Sequence, residues 1–348
     1  MLRNRLQQAE REFNHIKNIV IGTNLARDGF IPYGFDGEIH IFDNVDHTYW
    51  KAFDHCAVMV QGYATFERFV LNTVNEWIKW CLAHKQEAIL SHASAKDQYE
   101  LGVAEIFRRK AEPRFSDIDL KQLNKSLSYF YEKSAPANAN LLPDPFFATQ
   151  SNLKLQHIAS LFKTVGIGDP HNWIASSKDL NAMRQDEGYS AENELRNLVE
   201  RRNEAAHGNE LPSDILGRKE LLNTIQLITY LCRALHGFVL SRIVQEELGD
   251  DYANGKIGTV TKLWRNAGAF ELTSDDNMTV SCGMLVGSIT SGHFSTHTIK
   301  TIEVEKIGAA HYYSNKSTAL GITSEILPKK GSKIVALSKV RGLLTLLS

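Results

Sequence analysis

Along the first 250 residues apolar side chains recur at helical spacing, and after that point the recurrence changes. Five windows, 3–19, 56–84, 151–165, 190–207 and 218–248, carry helical apolar patterns and predict helices. The second is apolar almost all round, through Val58, Val60, Tyr63, Phe66, Phe69, Val70, Val74, Trp77, Ile78, Trp80 and Cys81, as expected of a central helix packed on several sides. Pro136, Pro143 and Pro145, with Ala-Asn repeated between them, predict a loop over 134–145. Ser116 and Asp117 are each suited to cap a helix running on through Leu120, and boundaries between 113 and 150 stay open.

Beyond Gly249-Asp250-Asp251 short runs rich in Val, Ile and Thr, punctuated by Gly, replace the long helical patterns. Ile302 and Val304 show the period-two alternation of a half-buried strand. Many short strands in about 90 residues predict a small closed barrel. The expected fold class is therefore multi-domain α plus β: an N-terminal all-α helical bundle over residues 1–248, then a small C-terminal β-barrel over 253–342.

Composition adds a class. With 348 residues, 43% hydrophobic and 23% charged, the chain reads as globular rather than disordered, and is long enough for two domains. Lys plus Arg number 39 and Asp plus Glu 40, so the net charge of −1 offers no composition-level case for nucleic-acid binding. The average hides a split. Residues 1–250 hold 28 basic and 33 acidic side chains, while 251–348 hold 11 and 7. The barrel is thus the natural electrostatic guide to a polyanion, and the helical body depends on a local basic patch around Arg201 and Arg202.

Cys56, Cys81, Cys232 and Cys282 are far apart, with no Cys-x-x-Cys pair and no Cys/His run at zinc-ligand spacing, so no metal site is expected. The charged start lacks the apolar stretch of a secretory signal, and no run is read as approaching the ~18–20 apolar residues of a membrane helix. A cytoplasmic protein with no membrane contact is the expectation.

The most informative stretch is Leu195-Arg-Asn-Leu-Val-Glu-Arg-Arg-Asn-Glu-Ala-Ala-His-Gly208. On a helix, Leu195, Leu198, Val199, Arg202 and Ala206 share one stripe, so Arg202 interrupts an apolar face and its guanidinium must find a partner. Asn203 and His207, four apart, stack on a neighbouring face, which would let Asn203 orient the imidazole while Arg202 reaches round. A His followed by Gly is also how an ordinary helix ends, with Gly208 as left-handed cap and His207 beside the negative end of the dipole.

Arg202-Asn203-Glu204-Ala205-Ala206-His207 resembles the Arg-x4-His motif of the HEPN superfamily, in its Arg-Asn-x3-His form. Tyr63-Ala-Thr-Phe-Glu67-Arg-Phe-Val70, Asn152-Leu-Lys with Phe162-Lys-Thr-Val-Gly166-Ile, and the long closing helix resemble the branch containing RiboL-PSP-HEPN and MAE-type HEPN nucleases. That resemblance implies a helical domain that dimerises so that two motifs face each other, and a metal-independent ribonuclease of toxin–antitoxin or antiviral systems. It implies RNA as substrate, His207 as general acid or base, Arg202 on the scissile phosphate and Asn203 as a polarising or positioning group. No cofactor is implied. The 2′-hydroxyl would attack, leaving a 2′,3′-cyclic phosphate. Each chain offers one Arg/His pair, so a composite site in a homodimer is the expectation. Glu67, Arg201 and Glu204 are accessory candidates, Glu67 with the alternative of an ordinary ion pair to another helix. Arg108-Arg109-Lys110 with Arg114 forms a basic cluster that tracks a phosphate backbone or is a solvated face.

Ile257-Gly-Thr-Val-Thr261, Gly268-Ala-Phe-Glu-Leu272, Ile299-Lys-Thr-Ile-Glu303, Ala319-Leu-Gly-Ile322 and Lys329-Lys-Gly-Ser-Lys-Ile-Val335 resemble the domain-2 barrel of translation elongation factors. That family's Gly-Asp turns stand here as Gly283-Met284 and Gly331-Ser332, and no Gly-x4-Gly-Lys-Ser/Thr loop makes the chain a GTPase. The likeness implies tRNA or ribosome contact, with an antitoxin as another possible partner. The contrasting reading is a non-catalytic RNA- or ribosome-binding protein using its helical part for dimerisation.

Overall fold

A computed structural model describes residues 2–27, 46–136, 139–149, 152–183, 190–207, 212–249, 252, 254–274, 278–304, 307–314, 318–324 and 327–340. The chain divides into two compact units, Met1–His171 with Asp179–Arg233, and Asn172–Lys178 with Ala234–Ser348. The fold class is α plus β, with eleven described helices followed by a closed six-stranded barrel.

The helical unit is built around α2 (His47–His84), which packs against α1 (Leu2–Arg27). α2 starts nine residues ahead of the predicted window. Asp46 caps it by accepting the Thr48 amide, and its first turns expose Tyr49 and Phe53, so the leading residues carry no one-sided apolar period. Its expected all-round apolar surface is buried apart from Val60. Two side chains tie α2 to the segment beyond the Pro-rich loop: Trp77 Nε1 donates to the Val165 carbonyl at 2.8 Å, and the Tyr63 hydroxyl accepts from the Leu153 amide at 2.6 Å.

α3 (Gln86–Leu90) leads into α4 (Ala93–Arg108), which is followed by α5 (Leu120–Glu132). Neither Ser116 nor Asp117 caps α5. Asp119 does, accepting the Lys121 and Gln122 amides, while the Ser116 hydroxyl turns to the Pro113 carbonyl and to Asp117. The predicted loop ends two residues early, where α6 (Asp144–Phe147) takes Pro145 into its first turn; residues 137–138 of that loop lie outside the described set. α4 and α6 meet at Gly102, where any Cβ would stand 1.8 Å from the Pro145 carbonyl oxygen, so only glycine fits. α7 (Leu155–Thr164), α8 (His171–Ala175), α9 (Lys178–Ala182), α10 (Ala191–His207) and α11 (Arg218–Leu248) follow.

Residues 218–233 of α11 belong to the helical unit and 234–248 to the second unit. Contrary to expectation, α11 does have the length and hydropathy of a membrane span, and 72% of its most apolar window is buried. By length and composition alone it passes the same test as a core helix.

In the second unit the strands are β1 (Lys256–Trp264), β2 (Ala269–Ser274), β3 (Met278–Ser281), β4 (Leu285–Thr290), β5 (His293–Val304), β6 (Ile307–Ala309), β7 (His311–Ser314), β8 (Ala319–Ser324) and β9 (Lys333–Ala336). The order β4-β9-β1-β2-β8-β5 closes through β4–β5 pairing, which removes the edges of the sheet. Ile257, Val260, Phe270, Leu272, Ile302, Ile322 and Ile334 fill its interior. A bulge between Ile299 and Thr301 puts Ile299 and Ile302, three apart, both in the core. Gly283 and Gly331 have φ of 81°, a left-handed turn conformation that favours glycine.

Candidate active site

His55, Met59, Tyr63 and Glu67 follow one another at four-residue spacing along α2, so they line one face of it. The first three are fully buried, and α10 packs across this helix. The matching stripe of α10 is Leu195, Leu198 and Val199, all buried, and it runs on into a half-buried Arg202 as expected. Ala206, expected to prolong the stripe, is exposed.

The guanidinium of Arg202 finds its partners within this layer. It lies over the Tyr63 ring, 5.0 Å from the centroid, and its Nη1 donates to Asn203 Oδ1 at 3.0 Å. A cation over an aromatic face away from bulk water is held by roughly 1–2 kcal/mol. The Leu153 amide fixes the Tyr63 hydroxyl from the far end of the ring. Burial pushes the phenol up to about 12, opposed by that amide and by Arg202, so Tyr63 stays neutral through the physiological range. Asn203 thus positions the guanidinium.

Glu67 is half-buried, and burial raises its pKa against the opposing fields of Arg114 and Arg202. Arg114 also donates to the Phe147 carbonyl at 3.0 Å. One carboxylate and two guanidinium groups therefore share this patch.

Arg201 and Glu204 do a different job. Arg201 Nη2 binds Asp214 at 2.6 Å, and Glu204 Oε1 accepts the Ser213 amide at 2.8 Å, which holds that carboxyl below the usual range. Two residues on, the Leu216 amide donates to His55 Nδ1 at 3.1 Å. Three contacts thus pin residues 213–216 to α10 and α2, shortly after the motif. His55 Nε2 is buried without a hydrogen-bond partner among the described residues, and burial, with the neighbouring Arg201, lowers the pKa of the ring. Sequence reasoning missed His55; its place four residues before Met59 on the Tyr63–Glu67 stripe was the available signal.

His207 is the last residue of α10, and its side chain lies outside the described residues, as does Gly208. The remaining basic cluster is consumed locally. Arg108 pairs with Glu105 at 2.7 Å, Arg109 with Glu112 at 2.6 Å, and Lys110 Nζ donates to the Phe115, Ser116 and Ile118 carbonyls. Of that cluster Arg114 alone acts on Glu67.

A helical domain in which an arginine, with an asparagine beside it, breaks the buried face of a helix ending in histidine is of the HEPN kind. The family model described as RiboL-PSP-HEPN matches residues 4–241, more than half of the chain, and the chain belongs to that family. No curated protein and no solved structure matches it. Membership points to a nuclease or another RNA-related function. The match stops short of the barrel.

Proposed function

We propose that the chain is a metal-independent endoribonuclease. The observation that carries this reading is the Arg202 guanidinium laid on Tyr63, held by Asn203 and placed beside Glu67, within two turns of His207. A planar cation set in place before substrate arrives is the group that phosphoryl chemistry without a metal requires, because it binds two phosphate oxygens at once and stabilises charge developing on them. His207 takes the proton of the attacking 2′-hydroxyl, the bond from phosphorus to the 5′-oxygen of the next nucleotide breaks, and that oxygen leaves protonated, so one product carries a 2′,3′-cyclic phosphate and the other a 5′-hydroxyl. Since RNA cleavage needs both an acid and a base, a twofold dimer that brings two motifs together supplies the second group.

The net +4 of residues 251–348 supports a guiding role for the barrel toward tRNA or ribosome-associated RNA. The setting is a cytoplasmic toxin or antiviral effector, restrained by an antitoxin partner. Incubating the purified protein with total tRNA and mRNA in EDTA tests the reading: wild type cleaves and leaves cyclic-phosphate ends, while Arg202→Ala and His207→Ala do not. Equal products from all three, or none from wild type, would remove the enzyme and leave an RNA-binding dimer module.

A further inference from the structure

Beside the motif, between α10 and the start of α11, lies a cavity of about 460 Å³ within the helical unit. Its volume falls in the range of small-ligand sites. Glu194, Asn197 and Arg201 of α10 line one side, and Glu220, Asn223 and Gln226 of α11 the other. Ala182, Met183, Leu216 and Leu227 add apolar lining. The lining offers apolar surface against which a flat ring packs and carboxylates and amides that bond its edge.

The charges narrow the ligand. Arg201 is neutralised by Asp214 at 2.6 Å, so the cavity offers two carboxylates and no unpaired cation among the described residues that line it. That excludes it as a phosphate pocket. A carboxylate accepts from paired N–H groups, and Asn and Gln amides donate to ring nitrogens and carbonyl oxygens as well as accept. Guanine matches this set best: its N1–H and N2–H₂ donors suit a carboxylate, and O6 and N7 suit the amides. Uracil would turn a carbonyl oxygen toward a carboxylate.

We propose that this cavity is a guanine-selective nucleobase subsite. It rests on the ribonuclease reading for its purpose: Arg201, which lines the cavity, is the chain neighbour of Arg202, so a base seated there lies against the same turn of α10 that carries the phosphate-binding guanidinium, on the neighbouring face. Its chemistry stands apart from cleavage, because the groups that hold the base are not those that hold the scissile phosphate. Arg202 and His207 set the rate, and the cavity sets where the RNA is cut.

Calorimetric titration of the full chain with 3′-GMP and 3′-UMP tests it. Wild type binds 3′-GMP at least 10-fold more tightly than 3′-UMP; Glu194→Gln and Glu220→Gln each reduce that ratio at least 3-fold, with unchanged circular dichroism, and Arg202→Ala leaves it within 2-fold. In cleavage, the two Gln variants raise KM for G-containing oligonucleotides with kcat held within 2-fold. Equal affinity for the two nucleotides, no binding of either, or a preference untouched by both Gln variants overturns the proposal. Selective binding of 3′-GMP by a protein that cuts no RNA overturns the ribonuclease reading and leaves the subsite standing.

Discussion

Tyr63 carries Arg202 on its ring while its hydroxyl accepts the Leu153 amide, so one buried side chain joins the motif helix to the segment before α7. The two contacts separate by substitution. Tyr63→Phe keeps the ring and leaves a buried amide without its acceptor, which costs about 1–3 kcal/mol; it lowers the urea midpoint with little change in cleavage per folded molecule. Tyr63→Leu loses the aromatic face as well, frees the guanidinium, and lowers kcat by at least 10-fold beyond the phenylalanine variant. Urea unfolding and initial rates on one RNA, run side by side, check both.

Arg202→Lys tests geometry against charge. Lysine preserves the positive charge but presents a rotating point donor where the guanidinium presents a flat fork already stacked and bonded to Asn203. The expected loss in kcat/KM is about 100-fold, of the order found when a preorganised electrostatic group is removed. Retention of more than half the activity would mean that charge alone suffices.

The His55 clasp gives the helical unit a pH dependence. Neutral Nδ1 accepts the Leu216 amide, and burial together with Arg201 lowers the folded pKa below the ordinary 6.5, while Glu204 and Asp214 oppose the shift. The thiol of its chain neighbour Cys56 is itself held up by burial and by Glu204, so it stays uncharged in this range. Below 6.5 the unfolded chain binds more protons at this site than the folded one, so the stability His55 contributes is fully present above that value and is lost as the pH falls below it. His55→Gln removes the titration and keeps an oxygen acceptor for the amide. Denaturant midpoints measured between about pH 5 and pH 8 should slope upward for wild type and flatten for the variant over the lower part of that range.

How much of this was legible in sequence depended on whether the determinant is local. The Arg202-Asn203 pair stood out because Arg202 breaks an apolar stripe with Asn203 on the face beside it, and their mutual hydrogen bond is between chain neighbours. Arg114 and Asp214 reach the site through tertiary packing and left no period to read. The basic cluster, left open between a phosphate track and a solvated face, had a local answer: Glu105 to Arg108, Glu105 to Arg109 and Arg109 to Glu112 are three or four apart, the spacing of intrahelical pairs. α4 escaped notice because Leu101 and Phe107 face solvent and blur its apolar face. In the barrel, the Ile302–Val304 alternation marked a strand, and the bulge at Ile299–Thr301 hid its continuation.

Inside the barrel, His297 Nε2 meets both the Ser288 and Ser295 hydroxyls at 2.8 Å, and the two hydroxyls stand 2.8 Å from each other. Buried polar networks of this kind are favourable only while satisfied. Ser288→Ala leaves Ser295 to serve the ring, and His297→Leu leaves the two hydroxyls to each other, so each costs about 1 kcal/mol. The double variant Ser288→Ala/His297→Leu should lose more than the sum, because each single change leaves Ser295 one partner in this trio and the double leaves it none. Thermal unfolding of the four proteins reads this coupling.

A composite site makes activity a function of protein concentration. If two motifs supply the acid and the base across a twofold axis, the monomer holds a single Arg202–His207 set and lacks the second proton-transfer group. Specific activity per chain then falls as the protein is diluted through the dimer dissociation constant, and it falls in step with the dimer fraction measured by sedimentation. Doping the wild type with an excess of Arg202→Ala chains at fixed total concentration draws active subunits into mixed dimers. The wild-type rate should drop more steeply than dilution by an inert protein would give. A rate per wild-type chain that ignores both dilution and doping would place the whole reaction within one subunit.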